Sequence, residues 1–149
     1  MKKTFLFFTL FVFAFLLSCD SKDNDDSQST NFLKATINGT EIVFDTFSVE
    51  KTDYPDDGYS DIQVTATKSS DPTKKIILEL EHLAIGTEPC FEFQYIDEDK
   101  YYIINPRENT SLVIDVTENT TNKLKGTFSG TVAEYEGSGS VEISAGSFD

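Results

Sequence analysis

The chain has 149 residues, a formal net charge of −14, two cysteines, no tryptophan and a single histidine. Its length suits one domain at most. Proteins that bind nucleic acids use a basic surface to contact the phosphate backbone, and a chain this acidic lacks one. We therefore expect no nucleic-acid partner. Two cysteines are also too few for a disulfide-dense scaffold or a four-cysteine zinc site.

The first eighteen residues have the pattern of an export signal. Lys2 and Lys3 precede an apolar run from Thr4 to Leu17. Fourteen helical residues rise only about 21 Å, which is short of the roughly 30 Å hydrocarbon core of a bilayer. This length is typical of the apolar region of a secretory signal peptide, which we predict for residues 1–18. An uncleaved membrane anchor is the alternative.

The end of this run carries a more specific motif, Leu16-Leu17-Ser18-Cys19. It resembles the lipobox of bacterial lipoproteins, in which an aliphatic residue lies three before the cysteine and a small residue directly precedes it. The resemblance implies that Cys19 is the lipid attachment site and the first residue of the mature protein. Its thiol would carry a diacylglyceryl group and its amine a fatty acyl chain such as palmitate. Two or more acyl chains anchor a protein stably in a membrane. A coincidental cysteine after a plain secretory signal is the alternative.

The lipidated cysteine is followed by a polar segment. Residues 20–31 contain Asp, Ser, Lys, Asn, Gln and Thr but no apolar residue. Such a segment cannot bury enough surface to offset its ordering entropy, so we predict that residues 19–31 form a disordered acidic tether. At full extension twelve residues reach about 40 Å. The net charge of −3 on residues 20–31 should be repelled by anionic headgroups and hold the domain off the membrane.

Two short patterns in the tether imply different locations. The run from Ser21 to Asp26 resembles the acidic export signal of surface lipoproteins in the Bacteroidetes. Asp20, directly after the cysteine, resembles the inner-membrane retention signal of proteobacterial lipoproteins. The Phe-rich leader and the acidity of the mature chain favour the first. We therefore expect an outer-membrane lipoprotein exposed on the cell surface, with a periplasm-facing protein as the alternative.

Residues 32–149 have the pattern of an antiparallel β domain. Apolar and polar residues alternate in successive short runs, which is typical of a sheet with one buried and one wet face. The apolar members of the clearest runs are Ile62, Val64 and Ala66; Ile76, Leu78 and Leu80; Phe91, Phe93 and Tyr95; and Leu112, Ile114 and Val116. The runs predict a single antiparallel β-sandwich or small barrel of about eight to nine strands.

Turn residues separate the runs, and the clearest is Asn38-Gly39, a strong hairpin signal. This hairpin, the run Gly126-Thr127-Phe128-Ser129-Gly130-Thr131 and the ending Ile143 to Phe148 together resemble a group of small, uncharacterised β-rich lipoproteins of Bacteroidetes. The resemblance covers about half of the domain. It implies a fold and a location but no activity.

Few residues suggest catalysis. His82 lies near a strand end without a partner motif, and no Gly-x-Ser-x-Gly sequence is present. Cys90 lies near Glu88 and Glu92, which would raise rather than lower the pKa of a thiol, so we expect it to be an inert core residue. We therefore predict that the protein is not an enzyme.

Acidic residues crowd the segment from Asp53 to Asp61 around Gly58. Carboxylates at this density suit calcium, but the EF-hand template fails because Pro55 and Val64 occupy ligand positions. Solvated turn residues are the favoured interpretation, as for Asp97 to Asp99. We predict no metal site and no cofactor, while a calcium site of another geometry stays open.

The tyrosines are the more suggestive set of residues. Tyr54 and Tyr59 flank the acidic loop, while Tyr101 and Tyr102 point to opposite faces of one strand. Exposed tyrosines commonly contact sugars or protein partners, although cross-strand packing explains them too. We expect a non-enzymatic module that binds a glycan or a protein through these residues. The alternatives are a lipocalin-like carrier of a small apolar ligand and, third, a small hydrolase.

Overall fold

A computed structural model describes residues 32–87, 90–104 and 110–149. The predicted signal peptide, residues 1–18, and the predicted tether, residues 19–31 with Cys19, lie outside the described residues. No helix in the described part of the chain is long and apolar enough to cross a membrane.

The described residues form ten β-strands. They are β1 (Leu33–Ile37), β2 (Thr40–Phe44), β3 (Thr46–Tyr54), β4 (Tyr59–Thr67), β5 (Lys74–Glu81), β6 (Cys90–Asp97), β7 (Lys100–Ile103), β8 (Val113–Asn119), β9 (Leu124–Glu134) and β10 (Ser140–Phe148). All pair antiparallel in one sheet of order β2-β1-β10-β9-β7-β6-β5-β4-β3, and β8 also pairs with β9. The sheet curls into a half-barrel, so the predicted all-β, antiparallel fold class is confirmed.

The structure has ten strands where eight to nine are expected, because the apolar residues between Ile42 and Val49 lie on two strands. The chain breaks at Asp45 into β2 and β3. The backbone N–H of Asp45 donates to Thr67 O at 3.1 Å, and its carboxylate accepts hydrogen bonds of 2.7 Å from both the backbone N–H and the hydroxyl of Ser69. Asp45 thereby transfers the chain from pairing with β1 to pairing with β4.

The hydrophobic core fills the concave side of the curled sheet. The predicted alternation places Ile62, Val64 and Ala66 of β4 and Ile76, Leu78 and Leu80 of β5 inside, and all six are buried. The rings of Phe93 on β6 and Phe128 on β9 lie 5.6 Å apart, although these strands are not neighbours in the sheet. The whole core cluster lies between Leu33 and Phe148, so a chain of residues 20–149 keeps it complete and should fold on its own.

One predicted core residue lies on the surface. The alternation groups Phe91 with Phe93 and Tyr95, but Phe91 is 57% exposed. Along β5, Leu80 pairs with Cys90 and Glu79 pairs with Glu92, which leaves Phe91 as the extra residue of a β-bulge. The bulge shifts the alternation by one position, so Cys90 packs against the core in place of Phe91.

The predicted Asn38-Gly39 hairpin is present between β1 and β2. Asn38 has a φ of 48° and Gly39 a φ of 81°. Two consecutive positive φ values define the two-residue turn whose twist matches that of paired strands. The side chain of Asn38 also accepts a 3.0 Å hydrogen bond from the backbone N–H of Glu142, which fixes the turn to β10.

We expect Asp45→Ala to lower the melting temperature of residues 20–149 at pH 7. The hydrogen bonds from Ser69 hold the pKa of Asp45 below its ordinary value of 3.8, with the side-chain bond as the main cause. The stabilisation is therefore complete above about pH 4 and is lost as the pH falls through the folded-state pKa. Thermal unfolding at pH 7 and at successively lower pH should show the gap between wild type and variant closing.

The control is Glu50→Ala, which removes an equal charge from an exposed position on β3. This variant should unfold close to the wild-type temperature at every pH. Equal losses for Asp45→Ala and Glu50→Ala would show that Asp45 contributes only charge and has no part in fixing the corner.

Candidate functional site

An apolar groove of about 420 Å³ opens at one end of the half-barrel. One wall belongs to β3, β4 and β5, and the other to the start of β1, the end of β10 and the start of β9. The apolar lining side chains are Phe47, Val49, Ile62, Val64 and Leu78 on the first wall, and Phe32, Leu33, Leu124 and Phe148 on the second. This volume falls within the range of about 300–1,000 Å³ typical of small-molecule sites.

The groove exists because the inner face of β3 is uncovered. Val49 pairs with the buried Val64 on the same face, yet Val49 itself is 63% exposed. Phe47 lies on the same face two residues nearer the Asp45 corner, and it is partly buried against the core. Apolar surface left open on an inward-facing strand is the kind that ligands or partners cover.

Charged side chains line the same groove. Lys51 of β3 and Lys123 of the turn before β9 contribute ammonium groups, and Asp149 contributes a carboxylate. Lys51 Nζ lies 2.5 Å from Asp53 Oδ1, and Lys123 Nζ lies 3.4 Å from Glu118 Oε2.

The turn that forms the far rim is held by a buried amide. Asn119, at the end of β8, donates from Nδ2 to Glu81 O at 2.9 Å and to Ala84 O at 3.0 Å. The turn itself is closed by a 2.8 Å hydrogen bond from Thr120 N–H to Lys123 O. These bonds join the β8–β9 turn to the end of β5, so the two walls keep a fixed spacing.

Two of the four predicted tyrosines form a stacked pair. The Tyr54 and Tyr59 rings at the β3–β4 hairpin lie 4.9 Å apart with an interplanar angle of 23°. Partial burial, and secondly the charge of Asp61, raise the pKa of Tyr59 above its ordinary value. Strand alternation places both rings on the face opposite to the groove-lining residues of β3 and β4.

The other two tyrosines lie far from this pair along the strand direction. Tyr101 is 48% exposed, while Tyr102 is half-buried with its ring 5.8 Å from that of Tyr95. Through the strand pairing, Tyr101 lies beside the start of β5, and Tyr59 lies just beyond the end of β5. These two positions are eight residues apart along the strand direction, which corresponds to about 26 Å. The four tyrosines therefore do not form one surface.

The acidic loop contains hydrogen-bonded turn residues. Asp53 Oδ1 accepts from Lys51 and, at 2.6 Å, from the Ser60 hydroxyl, and these bonds hold the pKa of Asp53 below its ordinary value, with Lys51 as the main cause. Asp61 is buried, and its Oδ1 has no hydrogen-bond partner among the described residues. Within those residues no group of three or more acidic, His or Cys side chains is placed to hold a metal ion.

His82 lines the groove directly after β5. Its backbone N–H donates to Ser60 O at 2.8 Å, which fixes its position beside β4. The Ser60 hydroxyl donates its single proton to Asp53, so it is not activated by the imidazole. This arrangement differs from that of a serine nucleophile and its histidine base.

Cys90 begins β6 and packs against the core. Its Sγ lies 3.3 Å from Glu92 O, to which the thiol donates. Burial raises the pKa of the Cys90 thiol to about 12, and the charges of Glu92 and Glu79 act in the same direction. At neutral pH this cysteine is therefore a thiol with almost no thiolate.

Comparison of the chain with protein-family models, with curated proteins and with solved structures finds no match. The functional assignment therefore depends on the geometry of the groove and of the tyrosine pair.

The sequence reasoning missed the groove, although one signal for it exists. One face of β3 carries Phe47, Val49 and Lys51, and the polar residues between them lie on the other face. This alternation is typical of a strand with one core-facing side. Whether such a face is buried depends on which element packs against it, and the local sequence pattern does not show which element that is. Phe32, directly before β1, forms part of the opposite wall.

We expect iodoacetamide to alkylate Cys90 at pH 8 at least about 100-fold more slowly in folded residues 20–149 than in the same chain unfolded in urea. A raised pKa leaves little thiolate, which is the reactive form. The rate should be followed by intact mass. Equal rates in the folded and unfolded states would contradict the buried placement of the Cys90 thiol.

Proposed function

We propose that this protein is a membrane-anchored, non-enzymatic binding module whose groove takes a small apolar ligand. The observation that carries the proposal is the uncovered apolar wall of β3, where Val49 is 63% exposed opposite Phe148 and Phe32. A ligand in this position would complete the missing part of the core. The proposal corresponds to the carrier function that the sequence offered as an alternative.

The energetics of the groove suit an aliphatic chain. Each methylene transferred from water to an apolar surface contributes about 0.8 kcal/mol. Since 1.4 kcal/mol is a tenfold change in affinity, each methylene should tighten binding about fourfold until the groove is full. The walls need little rearrangement because Asn119 and the Asp45 corner fix them, and preformed sites lose less entropy on binding.

A second function is supported by the stacked pair of Tyr54 and Tyr59. Tyr59 is 41% exposed at a hairpin, where an aromatic face can pack on a sugar ring or a partner protein. Tyr101 is too distant to belong to the same surface. We therefore place any glycan- or protein-binding role at the β3–β4 hairpin alone.

We expect Val49→Asp to weaken binding of 1-decanol to residues 20–149 at least tenfold. The new carboxylate would need to lose its hydration when the ligand covers it, which is costly. The position is mostly exposed, so the free energy of unfolding should change little. Isothermal titration gives the affinity, and a thermal melt verifies folding.

The matched control is Val43→Asp on β2, a valine that is 46% exposed and does not line the groove. It should bind 1-decanol like the wild type. A wild-type protein with no affinity for 1-octanol or 1-decanol, or an unchanged affinity in Val49→Asp, would refute the groove as the ligand site.

We further propose that Cys19 carries the lipid that anchors the protein in the outer membrane, with the domain on the cell surface. In cells that export the full chain, wild type should partition into the detergent phase on Triton X-114 extraction, and Cys19→Ser into the aqueous phase. Cys90→Ser is the control and should stay in the detergent phase.

Added protease should remove the domain from intact cells if it is on the surface. Protection until the outer membrane is opened would place it facing the periplasm instead. Detergent partitioning of Cys19→Ser would contradict the lipid anchor altogether.

A further inference from the structure

The charged residues of the groove differ in balance from those of the rest of the domain. Residues 32–149 contain 22 acidic and nine basic side chains. The groove lining contains one acid, Asp149, against two lysines, Lys51 and Lys123, and His82. In this strongly acidic domain the lining of the apolar groove therefore contains more lysines than acids.

Every acid and lysine of the lining has an ion-pair partner. Lys125 Nζ lies 2.7 Å from Asp149 Oδ2, and the pair is about two-thirds buried. The two lining lysines are paired with Asp53 and Glu118, which lie outside the lining. These three pairs balance in charge, so the groove would hold an anionic group through the hydrogen-bond donors that the lysines leave unused.

Both lining lysines keep hydrogen-bonding capacity. An ammonium group has three donors, and one carboxylate contact uses one of them. Their side chains are 44% and 42% exposed, so the charged ends reach water while the aliphatic stems extend the apolar walls. A carboxylate or similar anion placed between apolar wall and solvent would accept charge-assisted hydrogen bonds from them.

We infer that the ligand of the groove is an amphiphile with one aliphatic chain and an anionic head of the carboxylate type. The chain packs on Val49, Val64 and Phe148, and the head is held at the rim by Lys51 and Lys123. This inference rests on the proposed function, because it assigns the chemistry of the ligand in the same groove.

The test compares three ligands of equal chain length on wild-type residues 20–149: decanoate, 1-decanol and decylamine, each below its micelle concentration at pH 7. We expect decanoate to bind about fivefold more tightly than 1-decanol, since partly exposed ion pairs contribute modestly. Decylamine should bind most weakly. Raising the salt concentration should reduce the ratio of decanoate to decanol affinity, because salt screens exposed charges.

The variant arm uses Lys51→Met together with Lys123→Met, which keeps the apolar stems and removes both charges. Decanoate should then bind no more tightly than 1-decanol, because neither lysine is left to hold its head. The control is Lys100→Met, which removes a lysine paired with Glu134 at the other end of the sheet and should keep the preference for decanoate. If the double variant does not fold, the order of the three affinities on the wild type still tests the inference.

The outcomes separate the two proposals. Binding of 1-decanol as tight as that of decanoate, or tighter, would overturn the anionic head and leave the apolar groove standing. A preference for decanoate that survives loss of both lysines would also overturn it, because the selectivity would have another source. Binding of none of the three would overturn the proposed function itself.

Discussion

The chain crosses from one end of the sheet to the other through a single residue, Asp45. β2 and β3 are the two terminal strands of the sheet order, yet they are consecutive in the sequence. In a flat sheet the seven strands between them in this order would hold them apart, at nearly 5 Å per strand. The covalent link therefore requires the sheet to curl until its ends meet, and Ser69 fixes the corner through the Asp45 carboxylate. The concave core is a result of this closure.

The groove forms because the two ends of the sheet are held together only near the Asp45 corner. At the corner the two ends of the sheet are held together, and Leu33 and Phe44 are fully buried there as a cross-strand pair. Further along β3 the walls separate, and Val49 is left exposed opposite the end of β10. A site that is rigid at one side and open at the other can receive a ligand without opening the core. The architecture thus couples a stable domain to an unfilled apolar surface.

The sequence predicted the features that depend on local pattern. Alternation identified the buried faces of β4 and β5, and Asn38-Gly39 identified the first hairpin, because both signals act within a few residues. Phe91 was placed wrongly because a bulge depends on how β6 pairs with β5. The groove was missed because Phe32 and Val49 come to line one groove only through the curl of the whole sheet. Tyr54 and Tyr59 were recognised as neighbours of one loop, but their separation from Tyr101 depends on the strand register.

The position of β3 also bears on how molecules of this protein behave together. Among the described residues β3 pairs with β4 alone, so one backbone edge of a nine-residue strand is open. Open edges can pair with strands of other molecules, and charged side chains oppose such pairing. Glu50, Lys51 and Asp53 occupy this edge strand, and the domain charge of −13 adds repulsion between copies. Electrostatic repulsion therefore opposes edge-to-edge association, and protonation of the carboxylates on acidification weakens that repulsion.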